Sequence, residues 1–310
     1  MDLDLSDDQI ALRDGIASML AARVSMEGVR AGFDRAMFDE LAGAGVFSLR
    51  DDGFSWADCV VVFEQLGRYC VPGPLVPSLL FGGGRIVEVT SRIPPIWIEH
   101  LDALDVLLVD DGDHLRAVDP AEVEAERSSW PLDPCTPVAR AEQLPPGEAC
   151  DIERRSLTRD PEGTVLTAAI QLGLADRLTE LAVAYAKERV QFDRPIGSFQ
   201  AIKHMLADML TRTEMARAAV YSAGAALDEG TSAVAVHRLA FGAKVVAGDA
   251  AIANGKAATQ VFGGMGFTWE VDVHLYLKRA WVLDTHYESS DGNAALVCAT
   301  AGDPRNAADS

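Results

Sequence analysis

The sequence predicts an α+β chain that is mostly α, with an N-terminal helical domain, a small reduced β domain and a C-terminal antiparallel four-helix bundle. Three observations carry that prediction. From residue 164 to 285, apolar residues recur at three- and four-residue steps in four long segments joined by short turns, the pattern of helices packed side by side. From 85 to 158 the texture changes to short apolar runs broken by Pro and Gly, the pattern of strands. The first 84 residues keep helical spacing, punctuated by capping residues and by Gly and Pro. The implied boundaries are 1–84, 85–158 and 159–310.

Taken in order, Ser6-Asp7-Asp8-Gln9 is a capping box opening a helix through Leu12, Ile16, Met19 and Leu20. Further helices are expected over about 34–44, stopped by Gly45, and about 56–69, ending before Pro72-Gly73-Pro74. A short one over 75–80 breaks at Gly82-Gly83-Gly84. That triplet follows a helix instead of closing a strand, so it is not a dinucleotide fingerprint. Residues 96–98, 106–109 and 115–118 read as strands, with Asp111-Gly112-Asp113 as a hairpin turn. The bundle segments fall at about 164–192, 199–228, 232–258 and 271–285, and the Ala-, Gly-, Asp- and Asn-rich tail from Ser289 is expected to fray.

With 49% hydrophobic and 24% charged residues, the chain can bury a proper core. A net charge of −20 argues against nucleic acid or an anionic membrane as partner. A phosphate-bearing ligand would then need a local basic focus, which Lys187, Arg189, Arg194 and Lys203 supply. Five scattered cysteines and six histidines show no metal-ligand spacing, so no metal site is expected. There is no Gly-x-Ser-x-Gly elbow and no Cys/His pair. An acidic N-terminus and the lack of a membrane-length apolar run point to a soluble cytoplasmic protein.

Two punctuated stretches carry the functional signal. In Tyr185–Gln200, a helical stripe (Leu172, Ala175, Leu178, Ala182, Tyr185) is ended by Pro195, Gly197 frees a turn, and Ser198 can cap the next helix. Arg189 and Gln200 are left at the corner, where a guanidinium, an amide and a helix N-terminus would hold a phosphate. Alone, the Arg-x-x-Phe spacing favours an ordinary helical hairpin with a solvated Arg. The second stretch, Gln260-Val261-Phe262-Gly263-Gly264-Met265-Gly266, closes another long helix with glycines that let backbone amides approach a ligand.

In this order and helical context the two stretches resemble the acyl-CoA dehydrogenase family. The likeness implies that Arg189 and Phe192 from the first, and Gln260, Gly263 and Gly264 from the second, hold the adenosine and pyrophosphate half of FAD, with Gln200 beside them. Glu64-Gln65-Leu66-Gly67-Arg68 and Pro72-Gly73-Pro74-Leu75 resemble the family's N-terminal domain. The likeness is dense from Gly173 to Arg279, moderate over the first 80 residues and faint between.

The family reaction takes a proton alpha to a thioester onto a carboxylate and passes the beta hydride to flavin. In much of the family the base is a Glu shortly after the last bundle helix. Here that position falls on Tyr287, with Glu288 one residue beyond, in His286-Tyr287-Glu288-Ser289-Ser290. A one-residue slip, needing an irregular local backbone, would restore Glu288 as the catalytic carboxylate. Other relatives carry the base early in the first bundle helix, where this chain has Gly163 beside Glu162. The family's ring contacts, a Gly-Ser-Asp run and a Trp-Ile-Thr or Trp-Ile-Ser run, are missing; Trp97-Ile98 is followed by Glu99.

Two readings follow. One is a complete homo-oligomeric dehydrogenase using Glu288. The favoured one is the non-catalytic subunit of a heterotetrameric acyl-CoA dehydrogenase of lipid or steroid degradation. Such a subunit would lend FAD contacts to a homologous full-length subunit that binds the acyl-CoA and passes electrons to an electron-transfer flavoprotein. Ala-rich helices such as 233–258 suit close contacts within such an oligomer.

Overall fold

The computed structural model describes residues 4–111, 114–150 and 160–301. Four helices open the chain: α1 (Asp7–Arg23), α2 (Met26–Ala31), α3 (Arg35–Gly43) and α4 (Trp56–Arg68). Ser6 and Gln9 form the expected reciprocal box on α1, and Ser55 and Asp58 form another on α4. The six-residue α2, capped by Ser25, has no counterpart among the expected helices because it is too short to display a period. α5 (Leu75–Pro77) widens into a π turn through Gly82, and Gly83, left-handed at φ 53°, ends it.

Seven short strands follow: β1 (Val87–Ser91), β2 (Ile96–Glu99), β3 (Val106–Asp110), β4 (Leu115–Val118), β5 (Ala125–Arg127), β6 (Val138–Ala141) and β7 (Glu148–Ala149). They form two sheets, ordered β1-β3-β4-β7 and β2-β6-β5. β1 runs parallel to β3, with Val87 opposite Val106, and the other pairings are antiparallel. Ile96, Ile98, Leu107, Val109, Val118 and Ala139 make a separate apolar core for this region. β2, β3 and β4 are the three expected strands. β1, β5 and β7 are not legible because they lack a clean alternation, and β6, which alternates, is only four residues long. Residues 112 and 113 of the expected turn, and the expected boundary at 158, lie outside the described residues.

The remainder is helical: α6 (Pro161–Glu188), α7 (Gln200–Asp228), α8 (Ala233–Phe262), α9 (Val273–Asp284) and α10 (Ser290–Ala301). α6 is the central rod, packed against α4, α7 and α8. It crosses α4 where both helices carry glycine: a Cβ on Gly67 would lie 2.1 Å from the Ile170 carbonyl oxygen, and one on Gly173 2.0 Å from that of Glu64. Backbones this close exclude any side chain. Beside the crossing, buried Glu64 accepts hydrogen bonds from Arg217 and from the Tyr221 hydroxyl at 2.6 Å, and Arg217 also reaches Asp176 at 3.1 Å.

Three expectations are corrected. α6 stops at Glu188, short of 192, because a hairpin of β8 (Val190–Gln191) and β9 (Arg194–Pro195) intervenes before the proline acts. Ser198 does not cap α7: its hydroxyl donates to the Pro195 carbonyl at 2.7 Å, and the N-cap is Phe199, with no side-chain bond. The tail from Ser289 is not frayed through residue 301 but forms α10, which packs on α8. Its Asn293, fully buried, donates to the carbonyls of Tyr287, Glu288 and Ser289 at 3.2, 2.9 and 3.1 Å. No helix among the described residues is long and apolar enough to cross a membrane.

Candidate functional site

Up-and-down connectivity sends α6 and α8 the same way, so the C-terminal ends of both meet the N-terminal end of α7. The Tyr185 ring stacks on Phe262 with centroids 4.1 Å apart, and its hydroxyl reaches the Met265 sulfur at 3.8 Å. This joint brings the two punctuated stretches to one end of the bundle. Arg189 is the C-cap of α6, its N–H bonded to the Tyr185 carbonyl at 2.8 Å. The hairpin that follows turns on Phe192 and Asp193, both left-handed at φ 54° and 63°, as a two-residue hairpin requires. That turn holds Phe192 out at 86% exposure. The Arg194 guanidinium lies over the Phe199 ring at 4.1 Å.

Gln200 opens α7, its amide against His204 at 3.0 Å. Gln260 is exposed on the last turn of α8, and Gly263 caps that helix at φ 61°. A Cβ added to Gly263 or Gly264 would meet nothing within 4 Å, so the backbone there is open to a ligand. Lys187, Arg189, Arg194 and Lys203 are all exposed and make no ion pair among the described residues. In a chain of net charge −20, these four uncompensated cations beside the start of a 29-residue helix suit a diphosphate.

The other end of α6 faces a different kind of site. A cleft of about 380 Å³ between the sheets and the turn after α9 is lined by Glu88, Trp97, Glu99, His286, Tyr287 and Glu288, among others. Lys244, wholly buried on α8, anchors the turn by donating to the carbonyls of Leu283 and Asp284 at 3.0 and 3.3 Å. Burial pushes its ammonium down to about 8. His286 Nε2 and Glu99 Oε1 are 2.9 Å apart. Burial works against both charges, but each partner's charge and hydrogen bond outweigh it: Glu99 is held below the usual carboxylate range and His286 above the usual imidazole range. Glu88 on β1 has no such partner. Burial, then the Glu99 charge, push its carboxyl up to about 8, against the opposing His286 charge and the Val89 N–H it accepts.

Tyr287 and Glu288 are consecutive left-handed residues, φ 50° and 74°, so the irregular backbone that a slip would need is present. The Glu288 carboxylate, however, accepts the Ser289 N–H at 3.1 Å and its side chain lies against Gly292, folded over the start of α10. Tyr287 packs its ring on Gly163, where an added Cβ would lie 2.0 Å from Cε1. The two positions at which a base was sought are thus in contact, and a phenol fills the space. Glu99–His286, Glu88 and Asn293 were missed in the sequence. In the sequence Glu99 stands out only as a break in a Trp-Ile run, and its partner is 187 residues away.

Residues 162–286 match the acyl-CoA dehydrogenase C-terminal domain family. The chain is 31% identical over 304 residues to "Acyl-CoA dehydrogenase IpdE2" of Mycolicibacterium smegmatis, covering 89% of this chain and 93% of that one. It is 34% identical over 333 residues to "Acyl-CoA dehydrogenase FadE34" of Mycobacterium tuberculosis, covering 89% of this chain but 45% of that one. The solved ChsE4–ChsE5 complex from Mycobacterium tuberculosis contains a chain of the same fold, with a TM-score of 0.78, 20% identity and full coverage of both chains. The chain belongs to the acyl-CoA dehydrogenase family. FAD, which the family implies, finds uneven accommodation here. The open glycines and unpaired cations fit its pyrophosphate half. The cleft does not fit its ring, because the residue after Trp97-Ile98 is a carboxylate committed to His286.

Proposed function

We propose that this chain is the non-catalytic subunit of a heteromeric, FAD-dependent acyl-CoA dehydrogenase. It lends Arg189, Phe192, Gln200, Gln260, Gly263 and Gly264 to the adenosine and pyrophosphate end of a flavin housed mainly in a homologous full-length subunit. That subunit would remove the alpha proton of the acyl-CoA, and electrons would pass to an electron-transfer flavoprotein. The carrying observation is the contrast along α6: Arg189 and Gln260 at the corner are exposed and make no ion pair among the described residues, while the chain's own cleft is lined by the Glu99–His286 pair and Tyr287. Two comparisons support the reading. A similar fold occurs in a complex of two differently named chains, and more than half of FadE34 lies outside its match to this chain.

The second reading, a complete enzyme with Glu288 as base, is favoured by the left-handed pair at Tyr287 and Glu288. The discriminating experiment is Arg189→Ala in this chain with the full-length partner unaltered. A charge-assisted contact to pyrophosphate contributes roughly 1.5–3 kcal/mol, so FAD should bind about ten- to hundredfold more weakly. The complex should assemble, with the thermal midpoint of the apo complex unchanged, but leave gel filtration depleted in flavin. Stoichiometric FAD after the same column would make the corner a structural hairpin.

A further inference from the structure

A second cavity, of about 560 Å³, lies between the turn after α2 and the segment after β2, away from the cleft's lining residues. Gly32, Phe33, Leu104, Pro134 and Pro137 give it an apolar wall, and His100 is set into that wall. His100 is 3% exposed. Its backbone is left-handed at φ 52°, fixed by its N–H to the Pro137 carbonyl and by the Ala103 N–H to its own carbonyl, both at 2.8 Å. A non-glycine residue holds that conformation only where its surroundings over-determine it. The ring is therefore pinned, beside Phe33 at 5.7 Å between centroids.

The pinned ring is polar and unsatisfied. His100 Nδ1 is buried without a hydrogen-bond partner among the described residues, and Nε2 makes no hydrogen bond there either. Native proteins seldom leave such a group unpaired. The charges at the rim are already spent: Arg35 bonds Asp105 at 2.9 and 3.3 Å and Asp39 at 3.2 Å, and Asp102 bonds Arg127 at 2.5 Å. Burial brings the imidazole itself down to about 4, so it is neutral at pH 7. An ionic guest would find no free counter-charge. A hydroxyl suits either tautomer of the ring, because it can donate or accept.

We propose that this cavity binds an uncharged, hydroxylated ring compound, with the ring against Phe33 and the prolines and the hydroxyl on His100. Such a guest is unlike the anionic thioesters of the family reaction. Because His100 directly follows Glu99, it would sit on the far side of the strand end that borders the cleft.

Phenol is the probe, set against toluene and benzoate on the full chain by titration calorimetry, with a crystal structure of the phenol complex. Phenol should bind about tenfold more tightly than toluene and more tightly than benzoate, its oxygen within hydrogen-bond distance of a ring nitrogen of His100. His100→Asn, which a left-handed backbone tolerates, should bring phenol and toluene within twofold of each other. Equal binding of phenol and toluene by the wild-type chain, tighter binding of benzoate, phenol seated elsewhere, or a preference that survives His100→Asn would each overturn the assignment.

Discussion

The two ends of α6, 28 residues and so about 40 Å apart, show opposite treatments of the same kind of group. At the C-terminal end, the exposed cations Lys187, Arg189 and Arg194 make no ion pair among the described residues, and Gln260 is exposed beside them. At the N-terminal end, charged side chains are partly or wholly buried and matched, Glu99 with His286 and Lys244 with the end of α9. An unpaired surface cation costs little to keep and is available to a guest. A matched pair in a narrow cleft is not available, because releasing either partner strands the other. On the proposed reading, the difference separates groups kept for another molecule from groups that hold this one together.

The largest expected effect tests how firmly the inner end is filled. In Gly163→Ala the new methyl would meet the Tyr287 ring, with Cζ and Cδ1 at 2.3 and 2.7 Å, so ring or helix must move. We expect a loss of about 2 kcal/mol in chemical denaturation. Tyr287→Ala should absorb that loss, leaving the double variant within about 1 kcal/mol of Tyr287→Ala alone. Additive losses would mean that ring and helix are not in contact, and the picture of an occupied cleft would fail. Flavin content of the partnered complex should be unaffected by Gly163→Ala, since the corner lies at the other end of the helix.

A subtler test uses pH. The folded His286 pKa lies above its ordinary 6.5, and the folded Glu88 pKa lies at about 8 against an ordinary 4.5. Both groups therefore hold protons in the folded chain that the unfolded chain has released, and stability falls as pH rises. For Glu88 the window runs from about 4.5 to 8, and for His286 it opens near 6.5. Glu99 acts in the opposite sense: its contribution is present above about 4.5 and is lost as pH falls through its lowered folded pKa. Glu88→Gln should remove much of the decline in thermal midpoint between pH 5 and 8. An unchanged slope would mean that Glu88 is ionised at neutral pH.

The same contrast explains what the sequence made legible. The outer corner is written in local punctuation: Arg189, Pro195, Gly197 and Gln200 lie within twelve residues, and each acts on its own neighbours. The bundle was legible for the same reason, because its periodicity is local. The cleft is written in contacts between distant residues, Glu99 with His286 and Gly163 with Tyr287, and no spacing announces them. The tail was misread because its composition suggests fraying, whereas one buried Asn293 ties it to the turn that carries Tyr287 and Glu288. Ser198 was misread because a hydroxyl before a helix can turn back to its own chain as easily as forward.

The smallest expected effect is the one that decides between the two readings of the reaction. Glu288 follows Tyr287 directly in the turn after α9, and it is the base that the complete-enzyme reading uses. Its oxygen is engaged by the Ser289 N–H at 3.1 Å, and glutamine can accept the same bond from the same position. Glu288→Gln should therefore move the folding free energy by about 0.5 kcal/mol or less. In a complex whose base lies in the partner, turnover should stay within about twofold of wild type, with flavin content unchanged. A general base acting from this position would instead make the substitution cost on the order of a hundredfold or more in turnover. Steady-state rates and flavin absorbance on one preparation separate the outcomes, since loss of turnover with flavin retained would move the chemistry into this chain.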